Sequence, residues 1–452
     1  FWREESVFDK SLGEKNKDYN FYEGPPSANG MPGIHHVIAR TIKDLFCRYK
    51  TLKGFNVYRK AGWDTHGLPV ELGVEKELNI TKEDIGTKIS IEDYNKACKK
   101  AVMKYTDVWN DLTKKMGYWV DMSNPYVTYK SKYIESVWWL LKELFDKNLI
   151  YKGYTIQPYS PKAGTGLSSH ELNQPGTYQD VSDTTVTAQF KAINNSLPAS
   201  LSSYEVLYFL AWTTTPWTLP SNTALTVGGK IKYSVVSTFN QYTHEFTNVV
   251  LANDLVAKVF SGNYIKVSSK SELKYDPKID KKIPFLINES INGSELVGVK
   301  YSQLWEDAPL PYKNPENAFR IIQGDFVTTE DGTGIVHTAP TFGADDAKVA
   351  KMASPEIPAL LILDENQQPV PLVDLQGKFR KELGFLGGKF VKNEYYKENE
   401  VPQKSVDVEI AIKLKEENKA FKVEKYVHSY PNCWRTDKPI LYYPLDSWFI
   451  KV

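Results

Sequence analysis

The spacing of apolar residues changes near residue 150, and this change divides the chain into two kinds of structure. Before that point apolar residues recur every three or four positions, as they do in amphipathic helices. This spacing predicts helices over 35–50, 93–116 and 131–147. Short apolar stretches at 20–24 and 55–57 predict strands. Strands followed by helices indicate an α/β domain over residues 1–150.

Beyond residue 150, apolar and polar residues alternate in short runs such as "TTVTAQFKA" and "KYSVVSTF". Because Gly, Asn and Pro interrupt these runs, the pattern predicts a mostly β region that reaches to residue 395. Within this region, "GTGIVHTAPTFGADDAKVA" predicts a strand, a glycine-rich loop and a helix. After residue 400 we expect a charged helix and then aromatic strands that end in "ILYYPLDSWFIKV".

The composition excludes several classes of protein. A chain of 452 residues is too long for one core, so we expect two or three domains. With 56 basic and 55 acidic residues, it has no global positive charge of the kind that binds nucleic acid. Its three cysteines are widely spaced, which favours a reducing compartment over a disulfide framework. No apolar run approaches the ~20 residues of a membrane helix, so we expect a cytoplasmic protein with no membrane segment.

Two adjacent histidines, His35 and His36, stand in the first turn of the predicted helix 35–50. Pro32 suits the start of a helix, and the free N–H groups at such an end bind phosphates. Imidazoles at this place would add hydrogen-bond donors for the same oxygens. For an isolated pair of histidines, however, the pattern is more typical of a surface helix that they merely cap.

Five stretches, in this order, resemble the isoleucyl-tRNA synthetases, which are class I aminoacyl-tRNA synthetases. The stretches are "FYEGPPSANG", "KAGWDTHGLPVE", "AWTTTPWTLPSN", "GTGIVHTAPTFGADD" and "LDSWF". The related valyl family has a different loop where "GWDTHGLP" stands. Both the valyl and the leucyl families have arginine within the threonine-rich stretch, where this chain has Thr215, Pro216 and Trp217. Because five ordered motifs are far more specific than one, the resemblance favours the isoleucyl family.

The resemblance implies an α/β fold in which a class I Rossmann-type catalytic domain, incomplete here, is interrupted by a large, mostly β editing insertion. It assigns the first half of the catalytic domain to residues 1–150 and the editing domain to residues 183–395. Residues 151–182 would be a stalk, residues 396–440 its return, and residues 441–452 the strand that re-enters the catalytic domain. We also expect a second Rossmann half, a mobile lysine loop and a helical tRNA-binding domain outside these residues.

In this family a His-x-Gly-His signature holds ATP, and it falls here on Gly33, Ile34, His35 and His36. Only His36 matches, because the first histidine is replaced by Gly33 and the family glycine by His35. The resemblance therefore implies that His36 contacts the phosphates, and that His35 replaces the lost imidazole from a shifted position.

For the amino acid, the resemblance implies that Asp64 pairs with the α-ammonium group of isoleucine. Pro25 and Trp448 match positions that line the side-chain pocket. A rigid ring and an indole suit a branched alkane. Taken alone, Asp64 is equally well explained as the cap of a loop, and Pro25 and Trp448 as core residues.

The insertion should hold a second, hydrolytic site, because an apolar pocket rejects a smaller substrate only weakly; isoleucyl-tRNA synthetase and valine are the standard example. The resemblance implies an editing pocket in which Asp346 holds the ammonium group of mischarged valine and His337 bounds the space against isoleucine. The other matching residues are Thr213, Thr214, Thr215 and Asn222. The alternative is an ordinary threonine-rich strand end and an aspartate that caps a helix.

Two motifs depart from the family pattern. The zinc-ribbon positions carry Ser160, Ala163, Cys433 and Thr436, and one thiol cannot make a tetrahedral zinc site, so no zinc is expected. The stretch 351–354 looks like the mobile Lys-Met-Ser-Lys-Ser loop, but it lies within the editing region and lacks the second lysine.

These features predict an isoleucine–tRNA ligase: ATP, with Mg²⁺, activates isoleucine, the product is transferred to tRNA(Ile), and mischarged valine is hydrolysed. We expect a monomer. The alternatives are a valyl- or leucyl-tRNA synthetase, or a non-catalytic tRNA-binding protein derived from a synthetase.

Overall fold

The computed structural model describes residues 1–2, 4–13 and 17–452, and the chain forms two compact units. The first unit comprises residues 1–152 and 448–452, and the second comprises residues 153–447. The helices of the first unit are α1 (Val7–Ser11), α2 (Ile34–Leu52), α3 (Leu68–Leu78), α4 (Ile91–Val102), α5 (Thr106–Lys115) and α6 (Ser131–Asp146). Its parallel strands are β1 (Lys60–Trp63) and β2 (Asp121–Val127).

Helix α2 confirms the helix predicted over 35–50, but its apolar stripe is not the buried face. Ile38, Ile42 and Leu45 are each more than half exposed, whereas Arg40 and Cys47 are buried. The guanidinium of Arg40 donates to the hydroxyl oxygen of Thr113 at 2.6 Å and lies 5.1 Å from the centre of the Trp109 ring. A hydrogen bond and a cation–π contact therefore compensate this buried charge.

The strand predicted at 20–24 is wrong, because these residues are extended but pair with no neighbouring strand. Tyr22 is 91% exposed, and the two prolines that follow have no N–H groups for a ladder. The strand predicted at 55–57 is also wrong, since β1 begins only at Lys60.

The single helix predicted over 93–116 is two helices, α4 and α5. The chain turns between them because the N–H of Tyr105 donates to the carbonyl oxygen of Ala28 at 2.9 Å rather than to a helical partner. The predicted end at Gly117 is confirmed by its φ of +69°, a conformation that glycine adopts without strain. Helix α6 confirms the third predicted helix.

The second unit is mostly β, as the alternating pattern predicts, and two of its strands cross the boundary, since residues 150–152 of β3 and 448–450 of β18 belong to the first unit. Its strands are β3 (Ile150–Ser160), β4 (Thr165–Gly166), β5 (Tyr178–Lys191), β6 (Tyr208–Thr213), β7 (Ala224–Val227), β8 (Lys232–Phe239), β9 (Phe246–Ala252), β10 (Tyr264–Lys266), β11 (Ile283–Asn292), β12 (Arg320–Gln323), β13 (Ile335–Thr338), β14 (Leu361–Leu363), β15 (Pro369–Pro371), β16 (Ala420–Cys433), β17 (Lys438–Pro439) and β18 (Leu441–Ile450). Its helices are α7 (Ser169–Leu172), α8 (Val256–Val259), α9 (Gly293–Leu296), α10 (Ala344–Met352) and α11 (Val406–Glu416).

The large sheet of this unit runs in the order β10-β11-β8-β9-β6-β13-β7-β12, and β5, β16 and β17 extend it from β6. Strand β6 pairs antiparallel with β5 and parallel with β9 and β13. Its own Phe209 is buried in the same core as Phe190 and Tyr301. Because β6 pairs with three strands and packs into the core, the position of its last residue, Thr213, is fixed.

The two segments at the zinc-ribbon positions form tight turns. The hydroxyl oxygen of Ser160 accepts from the N–H of Ala163 at 3.2 Å, and the N–H of Thr436 donates to the carbonyl oxygen of Cys433 at 3.1 Å. Both turns are hydrogen-bonded within themselves. None of the helices in the described part of the chain is both long and apolar enough to cross a bilayer.

Candidate functional site

A cavity of about 360 Å³ lies in the second unit where β6 and β13 end and α10 begins. The segment after β6 forms one wall and continues into a 3₁₀ turn, Pro216–Ser221. The glycine-rich segment 331–334 forms another wall. Gly334 has a φ of +73°, and a Cβ there would collide with that of Ala252, so only glycine fits this close approach of two backbones.

The threonine segment places hydroxyl groups along one side of the cavity. The hydroxyl oxygens of Thr213 and Thr215 are 3.3 Å apart, and the Thr213 hydroxyl oxygen also accepts from the N–H of Thr215 at 3.1 Å. Thr214, between them, lines the same cavity. Behind the segment, a carboxylate oxygen of Asp407 in α11 accepts from the N–H of Trp217 at 2.9 Å and fixes the following turn. Burial raises the pKa of Asp407 to about 7.

His337, in β13, closes the inner end of the cavity and is hydrogen-bonded through both ring nitrogens. Its Nδ1 lies 2.8 Å from the side-chain nitrogen of Asn222, and its Nε2 lies 3.0 Å from the hydroxyl of Thr218. Burial lowers the pKa of His337 to about 3, so the ring is neutral at physiological pH. A neutral ring there can adjoin a bound cation without repelling it.

Asp346 stands in the first turn of α10 and lines the same cavity as the threonine segment. One of its carboxylate oxygens accepts from the N–H of Ala339 at 2.8 Å. Burial raises the pKa of this carboxyl group to about 6, although the Ala339 bond opposes the rise. The carboxylate is therefore ionised at neutral pH, but one hydrogen bond does not offset the cost of burying its charge. A bound cation would stabilise it further.

The structure thus brings together most of the residues predicted for the editing pocket. Asn222 is the exception, because it lies behind the cavity wall and reaches the cavity only through His337. Residues that the sequence analysis did not identify are Thr218 and Phe342, which line the cavity, and Asp407 behind it. Thr218 could have been found, since it lies within the quoted threonine-rich stretch.

In the first unit, the N–H of Gly33 donates to Nδ1 of His36 at 2.9 Å, so the His36 proton resides on Nε2. Burial, then the neighbouring His35 and Arg40, lower the pKa of His36. The His35 ring packs on that of His36, with their centres 3.8 Å apart. A Cβ on Gly33 would lie 2.8 Å from Cε1 of His35. His35 therefore folds back over the space that a side chain at position 33 would enter.

The residues predicted to bind isoleucine are only partly brought together. The N–H of Asp64 donates to the carbonyl oxygen of Pro26 at 3.0 Å, which joins the loops that carry Asp64 and Pro25. Trp448, in β18, is 64% exposed. Among the described residues, no group of three or more His, Cys, Asp or Glu side chains is placed to hold a metal ion.

The profile of the family described as tRNA synthetases class I (I, L, M and V) matches residues 1–452. The chain belongs to this family. This membership confirms the predicted class I synthetase fold, and the mixed α/β architecture with its large sheet is consistent with an editing insertion.

Curated relatives of this synthetase chain are named isoleucine–tRNA ligase. The protein of Cytophaga hutchinsonii is 59% identical over 464 residues, and that of Porphyromonas gingivalis is 54% identical over 469 residues. Each alignment covers 100% of this chain and 40% of the relative, so the chain spans less than half the length of these proteins. Among solved structures, the editing domain of the P. knowlesi cytosolic leucyl-tRNA synthetase aligns with a TM-score of 0.33 and 12% identity, over 57% of this chain and 98% of that domain.

The raised pKa of Asp346 makes stability depend on pH. The folded pKa of about 6 exceeds the ordinary value of 3.8, so the folded state binds the proton more tightly than the unfolded state does. The buried charge of Asp346 therefore lowers the free energy of unfolding. This loss of stability is absent below pH 3.8, grows as the pH rises to about 6, and is constant at higher pH. We predict that Asp346→Asn stabilises the protein by on the order of 2–3 kcal/mol at pH 8, with the gain falling towards zero near pH 4.

Urea unfolding followed from pH 4 to pH 8 measures this difference. Asp345→Asn, one residue earlier and exposed, is the matched control, and it should change the free energy of unfolding only slightly because the charge of Asp345 is the smallest cause of the raised Asp346 pKa. A stabilisation by Asp346→Asn that does not vary with pH would contradict the assignment of the penalty to the buried charge.

Proposed function

We propose that this chain carries the adenylate-forming and editing parts of an isoleucine–tRNA ligase. The observation that carries the proposal is the single cavity that is lined by Asp346, by the threonine hydroxyl groups and by the neutral ring of His337. An α-amino ester presents an ammonium group and a carbonyl group close together, and these features match the carboxylate and the hydroxyl groups. The names of the relatives support isoleucine as the amino acid and tRNA(Ile) as the acceptor.

In the proposed editing reaction, Asp346 pairs with the ammonium group of a valyl ester. This anchor puts the ester carbonyl beside the hydroxyl groups of Thr213 and Thr215, which position a water molecule. The water oxygen attacks the carbonyl carbon, the bond to the ribose oxygen breaks, and that oxygen gains a proton. Free valine and uncharged tRNA result. The protein contributes positioning, and no side chain needs to form a covalent bond.

We propose that His337 sets the size limit of this cavity. Its ring is hydrogen-bonded on both nitrogens and cannot move aside without breaking those bonds. A valyl side chain would fit against the ring, and the extra methylene of isoleucine would meet it. Because the ring is neutral, it does not compete with the substrate ammonium for Asp346.

For the activation reaction, we propose that ATP binds at the beginning of α2, with Mg²⁺ on its phosphates. The N–H groups of that helix end and the Nε2 proton of His36 are suitable donors for phosphate oxygens. His36 is proposed as the main contact, and the folding of His35 over Gly33 supports its role as the substitute imidazole. Asp64, Pro25 and Trp448 are proposed for isoleucine. No residue of this chain is assigned to the Mg²⁺ ion.

The proposed domains keep the boundaries given above, with residues 1–150 in the catalytic domain and 183–395 in the editing domain. We propose that the protein acts in the cytoplasm as a monomer. A non-catalytic tRNA-binding protein is the alternative of another class. Amino-acid-dependent exchange between ATP and pyrophosphate, measured on the full-length protein with Ile, Val and Leu, separates these functions. Exchange with isoleucine supports the ligase, and the absence of exchange with all three contradicts it.

We predict that Asp346→Ala slows the hydrolysis of pre-formed valyl-tRNA by about 10²-fold, because the ester loses the anchor that fixes its carbonyl. Charging with isoleucine by the full-length variant should stay nearly normal, since that reaction uses other residues. The matched control is Asp345→Ala on the same helix turn, which removes an exposed carboxylate and should leave deacylation unchanged. Equal deacylation rates in Asp346→Ala and the parent protein would show that Asp346 only caps the helix.

We predict that, in the full-length protein, His36→Ala reduces isoleucine-dependent pyrophosphate exchange more than His35→Ala does. Loss of a donor to a charged transition state costs about 10²–10³ in rate, and His36 holds the matched position. His35→Ala should have a smaller effect on the rate. A larger loss of exchange rate in His35→Ala than in His36→Ala would mean that His35, and not His36, makes the main phosphate contact.

A further inference from the structure

Behind the cavity, a row of buried polar side chains runs from the core to the threonine segment. The hydroxyl of Tyr301 lies 2.7 Å from the side-chain oxygen of Asn222. The amide nitrogen of Asn222 lies 2.8 Å from Nδ1 of His337, and Nε2 of His337 lies 3.0 Å from the hydroxyl of Thr218. That hydroxyl in turn lies 2.8 Å from the carbonyl oxygen of Thr215.

The direction of each bond in this row follows from groups that can only accept or only donate. The side-chain nitrogen of Asn222 also lies 2.8 Å from the carbonyl oxygen of Ala224, which can only accept, so the amide nitrogen faces Ala224 and His337. The nitrogen therefore donates to Nδ1 of His337. A neutral ring with Nδ1 as acceptor carries its proton on Nε2, and it donates to Thr218.

The directions of the hydrogen bonds at the two ends of the row follow from the same argument. The hydroxyl oxygen of Thr218 accepts from His337, so its own proton is free for the carbonyl oxygen of Thr215. At the other end, the amide oxygen of Asn222 can only accept, and Tyr301 must be the donor. All four bonds thus point from Tyr301 towards the cavity.

Tyr301 is suited to begin such a row. Its side chain is almost completely buried, at 1% exposure, and burial raises the pKa of its hydroxyl well above the usual range, so it keeps its proton. Its ring packs edge-on against Phe190, with centres 5.4 Å apart, and its N–H donates to the carbonyl oxygen of Phe319 at 2.9 Å. The hydroxyl therefore has a fixed direction, and it is the donor that pairs the buried amide oxygen of Asn222.

We propose that Tyr301 is a positioning residue for the editing cavity: through Asn222 it holds the His337 ring, with its proton on Nε2, against the threonine segment. This inference rests on the proposed function, because the ring matters as the wall that excludes isoleucine. Loss of the Tyr301 hydroxyl leaves a buried amide oxygen unpaired, which favours motion of Asn222 and loosens the ring. The cavity then admits the longer side chain more readily.

The test compares Tyr301→Phe with Tyr395→Phe. Tyr395 is a suitable control because its hydroxyl also donates to one carbonyl oxygen, that of Pro439 at 2.9 Å, and it does not line the cavity. Two quantities are measured in the whole chain. The first is the exchange rate of the imidazole N–H proton of His337, followed by NMR with labelled histidine and identified by its absence in His337→Gln. The second is the ratio of valyl-tRNA to isoleucyl-tRNA hydrolysis.

We expect the His337 proton to reside on Nε2 and to exchange about tenfold faster in Tyr301→Phe, the effect of one buried hydrogen bond. The hydrolysis ratio should fall by a similar factor, while Tyr395→Phe changes neither quantity. A proton on Nδ1 in the parent, or an exchange rate unchanged by Tyr301→Phe, would overturn the inference. A uniform loss of both hydrolyses with an unchanged ratio would also overturn it, since that result indicates only a structural role. If the parent hydrolyses neither ester, the proposed function fails, and the exchange rate alone decides whether Tyr301 holds His337.

Discussion

The pairing of a buried, neutral imidazole through both of its nitrogens is the interaction on which the candidate editing site depends. His337 contacts an amide on one side and a threonine hydroxyl on the other, and so connects β13 to the turn after β6. Burial makes the charged ring unfavourable, and the two partners make the neutral ring rigid. The shape of the cavity and the position of the threonine hydroxyl groups both follow from this one constraint.

The charge state of the cavity lining also favours a bound cation. Burial shifts the pKa values of Asp346 and His337 in opposite directions, and both shifts oppose charge within the protein. At neutral pH the Asp346 carboxylate is nevertheless ionised and lies among uncharged donors and acceptors, whereas Asp331, the other carboxylate of the lining, is paired with Lys258. A substrate ammonium group would supply the missing partner. The same feature that weakens the folded protein above pH 6 therefore strengthens binding, which is the usual relation between stability and function at a site.

Much of the fold could be predicted from local patterns, because helix and strand periodicities depend on neighbouring residues. The pattern "KYSVVSTF" coincides with β8, and helices α2 and α6 lie where the apolar spacing indicates. The sequence could not predict the break before α5, because it depends on a bond from Tyr105 to a distant carbonyl group. Nor could it predict that the apolar stripe of α2 is exposed while Arg40 is buried, since that depends on Thr113 and Trp109.

At the candidate site, too, residues in local sequence motifs could be predicted, whereas residues that act through distant contacts could not. Thr213, His337 and Asp346 could be identified from the sequence because they stand in recognisable motifs. All three line one cavity in the structure. Tyr301 stands in no motif and is 79 residues from Asn222 in sequence, so only the three-dimensional contact reveals it.

The most direct test of the account is a crystal structure of this chain with a non-hydrolysable valyl-adenosine, in which an amide replaces the ester. The account predicts that the ligand occupies the cavity with its ammonium nitrogen within about 4 Å of the Asp346 carboxylate, an ion-pair distance. Its isopropyl group should contact the His337 ring. A ligand bound elsewhere, or one whose ammonium group points away from Asp346, would contradict the assignment of this cavity to editing.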